Sequence, residues 1–261
     1  MPGEFSDRIV VISGASRGIG RGIALAFARE GAQTVLASSS EKNLAAAAEA
    51  VAAAGPTPLT VAGDLRRLDA CEALFKRVNE RFGRCDVLVN NAGATRAGNF
   101  MELPDEAWLD GFALKFFGAV RLTRLFWPLL EASEGHVVNI IGGASRTVEP
   151  EFLIGGSVNA ASANFAKGLS RLGMRSGVHV NAIHPGTTAT ERTEQLLEQR
   201  AAAQGKPVEE LRAAALAKSG IRRMGTPEDI AALTLFLCSE RSRHIQGTAI
   251  AVDGGATPGL Y

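Results

Sequence analysis

The sequence has few of the residues that build disulfide frameworks and metal sites. Its 261 residues include only three cysteines and four histidines. Cys71, Cys85 and Cys238 form no C-x-x-C pair, so we expect them to be reduced, buried thiols. The histidines lie far apart, without the spacing of metal ligands, and the sequence therefore predicts no metal site.

Strong net charge and long apolar runs are also absent. The formal net charge is +1 with both signs interspersed, which argues against a nucleic acid or an anionic membrane surface as a partner. No stretch of about 18 apolar residues occurs, and residues 1–8 lack the apolar core of a signal peptide. The sequence therefore predicts a soluble cytoplasmic protein. A hydrophobic content of 46% suits one large α/β domain over residues 1–261.

A glycine-rich turn organises the chain, and its sequence is Gly14-Ala15-Ser16-Arg17-Gly18-Ile19-Gly20. It follows an apolar run and opens a helical stretch, so backbone N–H groups and a helix dipole point at an anion. Gly14 permits the tight turn, Gly18 lets a phosphate approach the backbone, and Gly20 lets the helix pack close to the strand. The turn predicts a pyrophosphate site, although three glycines alone also fit an ordinary strand-to-helix turn.

Apolar runs alternate with helical stretches along the rest of the chain. We predict strands over 9–12, 34–37, 57–62, 87–89, 136–141, 178–183 and 248–252, and helices over 20–29, 38–54, 67–82, 105–130, 157–175 and 227–238. Ser38 and Glu41 have the spacing of a capping box. The alternation predicts an α/β fold with a doubly wound parallel sheet flanked by helices. The polar segment 187–221 has no place in this sheet, and we predict that it is a helical lid over the site.

Four motifs in order resemble the short-chain dehydrogenase/reductase family over essentially the whole chain. They are the turn at 13–20, Asn90-Asn91-Ala92-Gly93, Asn181-Ala182-Ile183-His184-Pro185-Gly186 and Val252-Asp253-Gly254-Gly255. The resemblance implies a single Rossmann-type domain that binds NAD or NADP and forms a homodimer or homotetramer. With the turn, it implies a cofactor site made of Gly14, Ser16, Arg17, Gly18, Ile19, Gly20, Ser38, Ser39, Asp64, Leu65, Asn91, Ala92, Gly93, Pro185, Gly186 and Thr188.

The tip of the second strand favours NADP over NAD. An acidic residue there would accept a hydrogen bond from the ribose 2′-hydroxyl and repel a 2′-phosphate, but this position is Ser38. Arg17 can pair with the phosphate, and the hydroxyls of Ser38, Ser39 and Ser40 lie at a helix N-terminus that favours anions. In the alternative interpretation, the serines only cap the helix and Arg17 points into solvent.

The resemblance fails at the catalytic residues. The family uses Asn, Ser, Tyr and Lys, and its tyrosine passes a proton while the lysine lowers the tyrosine pKa. The only tyrosine here is Tyr261. Alignment without gaps places Gly142, Gly155 and Asn159 at the serine, tyrosine and lysine positions. Counting along the helix 105–130 places Lys115 at the asparagine position.

Lysine and asparagine have thus exchanged places, which makes Lys115 and Asn159 the candidate catalytic residues. On a helical wheel Lys115 lies on the apolar side, near Leu122 and Phe126, and so points inward. A buried lysine is unfavourable unless it is paired or lines a wet site. The alternatives are a structural role and an ammonium group that reaches the surface.

Four other polar residues are weaker candidates for substrate contact. Ser145 and Arg146 follow the strand 136–141, and Ser157 is close to the tyrosine position. All three also fit ordinary loop or cap roles. His184 precedes a proline at a strand end, where a packed histidine is more common than a base.

Three functions remain open at this point. The first is an NADP-dependent oxidoreductase with a rearranged proton donor, acting on a small, mostly apolar carbonyl compound or alcohol. The second is an isomerase or lyase that uses Lys115, and the third is a nucleotide-binding protein without catalysis. We also expect a homo-oligomer, because Leu114 and Leu125 lie on the flank of the long helix and such apolar stripes are usually covered. The tail 256–261 is predicted to reach a neighbouring subunit.

Overall fold

A parallel β-sheet of seven strands forms the centre of the computed structural model, which describes residues 3–258. The strand order is β3-β2-β1-β4-β5-β6-β7. The strands are β1 Ile9–Ser13, β2 Gln33–Ser38, β3 Leu59–Ala62, β4 Val87–Asn90, β5 His136–Ile140, β6 His179–Pro185 and β7 Ala249–Val252. Apolar runs of β-branched residues, such as Ile9–Ser13, are buried along their whole length, as expected for strands covered on both faces.

Helices cover both faces of the sheet. They are α1 Gly18–Arg29, α2 Glu41–Ala52, α3 Leu68–Phe82, α4 Asp105–Gly111, α5 Gly118–Ala132, α6 Leu153–Ser176, α7 Glu191–Gln204, α8 Val208–Ser219 and α9 Pro227–Leu237. Helices α1, α2 and α9 enclose one hydrophobic core, around Phe27. Helices α3 and α5 enclose the other, around Phe126. The fold class predicted from the alternating pattern is confirmed.

Two local predictions near helix starts are wrong. Ser40, not Ser38, caps α2, because its hydroxyl accepts a hydrogen bond from Asn43 N at 3.3 Å. Ser38 Oγ instead donates to Ser16 Oγ at 2.8 Å, so the predicted capping box with Glu41 does not form. Helix α6 begins at Leu153, four residues earlier than predicted, since the glycines at its start adopt helical backbone angles.

The predicted helix 105–130 forms without a break but is not uniform in type. Between α4 and α5 the residues Phe112–Phe117 form a π-helical segment. A π turn closes its hydrogen bonds over five residues instead of four, and such turns occur frequently at functional sites. Lys115 lies in this segment.

Leu114 and Leu125, the residues of the apolar stripe predicted for an oligomer interface, are half-buried and pack against the core of α3 and α5. The exposed apolar side chains nearby are Leu109 and Phe117, at 70% and 46% exposure. Within residues 3–258, no helix is long and apolar enough to cross a bilayer.

The three cysteines are buried free thiols, as predicted. Burial raises the pKa of the Cys71 thiol to about 11, so this thiol stays protonated and unreactive at neutral pH. In the part of the chain that the structure describes, no three side chains of His, Cys, Asp or Glu converge as metal ligands would.

Candidate active site

A cavity of about 1090 Å³ opens at the carboxyl edge of the sheet. Strand β1 pairs with both β2 and β4, so the connections diverge there and leave a crevice beyond the strand ends. We call one side the nucleotide half, lined by the glycine turn and residues 38–39, 64–66 and 91–93. The other side is the substrate half, lined by residues 114–115, 142–144, 147–149, 152 and 159.

Backbone geometry shapes the glycine turn in the nucleotide half. Gly14 and Gly18 have φ angles of +67° and +53°, which L-residues with a side chain rarely adopt. Gly14 N donates to Ala37 O at 2.8 Å and fixes the turn to β2. Gly20 does not line the cavity, but a Cβ there would lie 2.2 Å from Gly14 O. Glycine at position 20 thus permits the close approach of α1 to the turn.

Asn91 connects the turn to the loop after β4. Its Nδ2 donates to Ser13 O and Gly14 O, both at 3.1 Å. In return, Ser13 Oγ accepts from Asn91 N at 3.0 Å and from Ala92 N at 3.1 Å. These bonds hold two neighbouring loops together, and Asn91, Ala92 and Gly93 all line the cavity.

The tip of β2 has hydroxyl groups and no carboxylate. The bonded pair Ser16 and Ser38 lies at the cavity wall beside Ser39, and the exposed Arg17 lines the same wall. After the neighbouring strand β3, Asp64 lines the cavity and accepts a hydrogen bond from Arg66 Nη1 at 3.1 Å. The buried Leu65 follows. The structure therefore brings the predicted residues of this half together.

Residues at the start of α7 also reach the nucleotide half, and the sequence reasoning missed them. Glu191 Oε2 accepts a hydrogen bond from Gly18 N at 3.1 Å, and its Oε1 lies 2.5 Å from Arg21 Nη2. A carboxylate therefore binds the first N–H group of α1, where the helix dipole attracts an anion. The signal in the sequence was Thr190, a helix N-cap that fixes where α7 begins.

The loop after β6 differs in one residue from the prediction. Pro185 and Gly186 line the cavity, but Thr188 does not. Thr188 Oγ1 donates to Gly186 O at 3.0 Å, and the residue is buried in a bridge with Gly225, which turns its side chain away. Thr190 lines the cavity instead.

Lys115 is half-buried and lines the substrate half. Its aliphatic chain packs on the loop after β4, so a Cβ on Gly93 would lie 3.0 Å from Lys115 Cδ. Among residues 3–258, no carboxylate lies within 4.0 Å of its ammonium group and no hydrogen bond is made to it. Burial, with a contribution from the Arg192 guanidinium, lowers the pKa of Lys115 to about 8.

Asn159 lies on α6 at the floor of the substrate half. It is 4% exposed and lines the cavity, and its Oδ1 has no hydrogen-bond partner among the described residues. An unpaired buried acceptor is unfavourable by about 1–3 kcal/mol, so the site is built for a donor. Gly142, with φ of +80°, lies against it, and a Cβ there would be 3.2 Å from Asn159 Nδ2. Asn159 and Lys115 make no direct hydrogen bond.

Of the weaker candidates, Ser145 and His184 contact each other away from the cavity. Ser145 Oγ lies 2.9 Å from His184 Nδ1, which also lies 3.0 Å from Gly142 O. His184 is 1% exposed, and burial lowers its pKa, which fits the packed role expected for it. Ser145, Ser157 and Arg146 do not line the cavity, and Arg146 Nη2 donates to Ala249 O at 3.0 Å.

The position aligned with a catalytic tyrosine holds no phenol. Gly155 is buried beneath the ring of Phe152, and Tyr261 lies outside the described residues. The predicted tail contact with a neighbouring subunit also falls partly outside them. Residues 256–258 line the cavity of their own chain, because Thr257 N donates to Asp253 Oδ2 at 2.9 Å and folds the tail back.

Comparison with known proteins identifies the family of this chain. A family model described as enoyl-(acyl carrier protein) reductase matches residues 14–257. The chain belongs to the short-chain dehydrogenase/reductase family of oxidoreductases.

Particular relatives span almost the whole chain. An oxidoreductase of Mycobacterium tuberculosis (strain CDC 1551 / Oshkosh) is 34% identical, over 97% of this chain and 94% of the relative. The 3β-hydroxysteroid dehydrogenase of Mediterraneibacter gnavus is 32% identical, over 98% and 96%. The crystal structure of L-sorbose reductase from Gluconobacter frateurii, complexed with NADPH and L-sorbose, has a TM-score of 0.93 and 32% identity over 100% of both chains.

Proposed function

We propose that this protein is an NADP-dependent oxidoreductase that interconverts a small, mostly apolar carbonyl compound and its alcohol. In this proposal its active site is rearranged, and Lys115 replaces the family's tyrosine as proton donor and acceptor. The observation that carries the proposal is the Lys115 ammonium group, which lines the substrate half without a carboxylate partner among the described residues.

The nucleotide half fits a dinucleotide. The glycine turn lines it at the start of α1, and the hydrogen bond from Gly18 N to the Glu191 carboxylate shows that this turn accommodates an anionic group. We infer that the cofactor is held by the residues predicted above for it, with two adjustments. Gly20 acts through packing of the turn, and Thr190 takes the side-chain contact expected of Thr188.

The choice of NADP rests on charge at the tip of β2. No carboxylate is present there to repel a 2′-phosphate, and Arg17 lines the same wall. An arginine guanidinium pairs well with phosphate oxygens. The G. frateurii reductase, which was solved with NADPH, supports the same choice.

NADPH supplies the hydride when it is bound. In the reducing direction, protonated Lys115 donates its proton to the carbonyl oxygen as negative charge develops there. In the oxidising direction, neutral Lys115 accepts the proton of the alcohol. A pKa near 8 populates both protonation states close to neutral pH, which a lysine with an ordinary pKa of about 10.4 would not. Asn159 Oδ1 accepts a hydrogen bond from a ligand hydroxyl or from a water between it and Lys115.

We also propose that the segment 187–221 is a lid over the single domain. Arg192 Nη2 donates to Thr95 O at 3.2 Å, and Lys218 Nζ lies 4.0 Å from Glu149 Oε2. Both contacts join the lid to loops across the cavity. The exposed Leu109 and Phe117 support a homodimer or homotetramer, which we place in the cytoplasm.

The test is Lys115→Met, compared with Lys167→Met as control. Lys167 lies on α6 outside the cavity, and its Nζ donates to Gly247 O at 2.9 Å. We expect Lys115→Met to lower turnover of a ketone panel with NADPH by about 100-fold or more, the usual contribution of a general acid. NADPH affinity should change less than about twofold, as expected for a group that acts on the substrate.

Other results would select another function. Unchanged turnover in Lys115→Met would refute the role of the lysine. If the parent protein binds NADPH but turns over no carbonyl compound, it is a nucleotide-binding protein without catalysis, an alternative favoured by the loss of all four family catalytic residues. Product formation without consumption of NADPH would indicate an isomerase or lyase.

A further inference from the structure

The ring of Phe152 occupies the space above Gly155. A Cβ on Gly155 would lie 2.1 Å from both Cε1 and Cζ of Phe152, far inside contact distance. Gly155 has an ordinary helical backbone, so conformational freedom does not explain the glycine. A side chain at position 155 would have to displace the aromatic ring, which fills this space.

The neighbouring glycine shows that this crowding is local. A Cβ on Gly156 would meet only Ala144 O, at 3.4 Å, an ordinary van der Waals contact. Both glycines belong to the first turn of α6 and both could carry alanine as far as the backbone is concerned. Only Gly155 is tied to Phe152.

Phe152 also faces the cavity. Its half-buried ring lines the substrate half together with Leu114 and Val148, and Lys115 and Asn159 line the same space. Position 155 is where the family resemblance places the catalytic tyrosine side chain. An aromatic ring from three residues earlier therefore takes that space, without a hydroxyl group.

We propose that Phe152 is the specificity-determining residue of this enzyme and that it selects carbonyl substrates with a flat, conjugated or aromatic group. The flat group stacks on the Phe152 ring, and the adjacent carbonyl oxygen reaches Lys115. Gly155 positions the ring by leaving its space free. The inference rests on the function proposed above, since it names the substrate class of the same site.

The test compares an aryl methyl ketone with its cyclohexyl analogue. These two ketones have the same carbon skeleton. We define the aryl preference as the kcat/KM of the aryl ketone divided by that of the cyclohexyl ketone, because this ratio cancels changes that affect both. In Phe152→Leu, which keeps an apolar side chain, we expect the aryl preference to fall about twofold to tenfold, the range of an aromatic stacking contact. Gly155→Ala should lower it similarly by displacing the ring, and Gly156→Ala should leave it unchanged.

A double-mutant cycle distinguishes an effect that Gly155→Ala exerts through the Phe152 ring from a general loss of stability. If Gly155→Ala acts through the ring, Phe152→Ala/Gly155→Ala should have the same aryl preference as Phe152→Ala alone, because the crowding is gone. It should also recover the melting temperature lost in Gly155→Ala. An unchanged aryl preference in both Phe152→Leu and Gly155→Ala would overturn the proposal.

A binding measurement separates this inference from the proposed reaction. Calorimetry measures the affinity of the aryl and cyclohexyl alcohols for the protein with NADPH, a mixture that cannot react. An aryl preference that Phe152→Leu abolishes would support the inference even if no ketone is reduced, and then only the proposed function would fail. Equal binding of the two alcohols to the parent protein would overturn the inference even if ketones are reduced.

Discussion

The two halves of the cavity are built from different parts of the chain. In the nucleotide half, the wall is largely backbone: the glycine turn with its positive φ angles, held by the Asn91 side chain, which bonds to the carbonyl oxygens of Ser13 and Gly14 at the start of the turn. In the substrate half, the wall is made of side chains that project from helices, notably Lys115, Phe152 and Asn159. A backbone wall tolerates little change, whereas a wall of side chains can be exchanged residue by residue while the fold persists. Here the family motifs persist in the first half, and our proposal is that the catalytic residues of the second half are replaced.

The largest expected difference between the halves is the effect of a Gly→Ala substitution, which adds one methyl group, on folding and NADPH binding. Gly20→Ala would place a Cβ 2.2 Å from Gly14 O, whereas Gly143→Ala would meet no atom closer than 3.8 Å. Because overpacking beside rigid backbone distorts the turn, we expect Gly20→Ala to weaken NADPH binding about 100-fold or to prevent folding. Gly143→Ala should bind NADPH within about twofold of the parent. Fluorescence titration and thermal melting measure both, and equal tolerance would contradict the comparison.

The pH dependence of turnover tests the substrate half. Because the pKa of Lys115 is lowered to about 8, the lysine loses its proton as the pH rises through this value. The kcat/KM for ketone reduction should therefore be level below pH 8 and fall about tenfold per unit above it. Alcohol oxidation should show the opposite trend, rising up to pH 8. A break near the ordinary lysine pKa, or none up to pH 9.5, would show that Lys115 is not the proton donor.

The smallest expected effect concerns cofactor choice in the nucleotide half. Arg17→Ala removes the only cation proposed to pair with the 2′-phosphate, so NADPH should bind about tenfold more weakly and NADH should change less than about twofold. Arg29→Ala, at the exposed far end of α1, controls for the loss of charge. Isothermal titration with both nucleotides measures the difference. Equal losses would mean that Arg17 does not distinguish the phosphate.

Most of the nucleotide half could be predicted because its chemistry depends on local sequence. A glycine turn between a strand and a helix acts through its own backbone, and the alternation of strands and helices fixes where it lies. Thr188 was the exception, since its side chain pairs with Gly186 O and only the folded loop shows that Thr190 faces the cavity.

The substrate half was predictable in position but not in detail. Alignment identified Gly155 and Asn159, yet nothing local to Gly155 indicates that the ring of Phe152 covers it, because glycine pairs usually indicate a loop. The Glu191 contact with Gly18 joins residues 173 positions apart. Side-chain contacts of this kind depend on the relative placement of helices and loops, which no periodicity in the sequence encodes.

The π-helical segment Phe112–Phe117 contains Lys115 and affects the direction in which this residue faces. A π turn holds about one residue more than an α turn, so it rotates the helix before it by roughly 100° relative to the helix after it. The location of the ammonium group is therefore a matter of register as well as of residue type. Loss of one residue from this segment would restore a regular helix and rotate α4 with its side chains, with no change in the chemistry of any residue that remains. Insertions and deletions, and not substitutions alone, are thus a route by which proteins of this fold can move a side chain within the cavity.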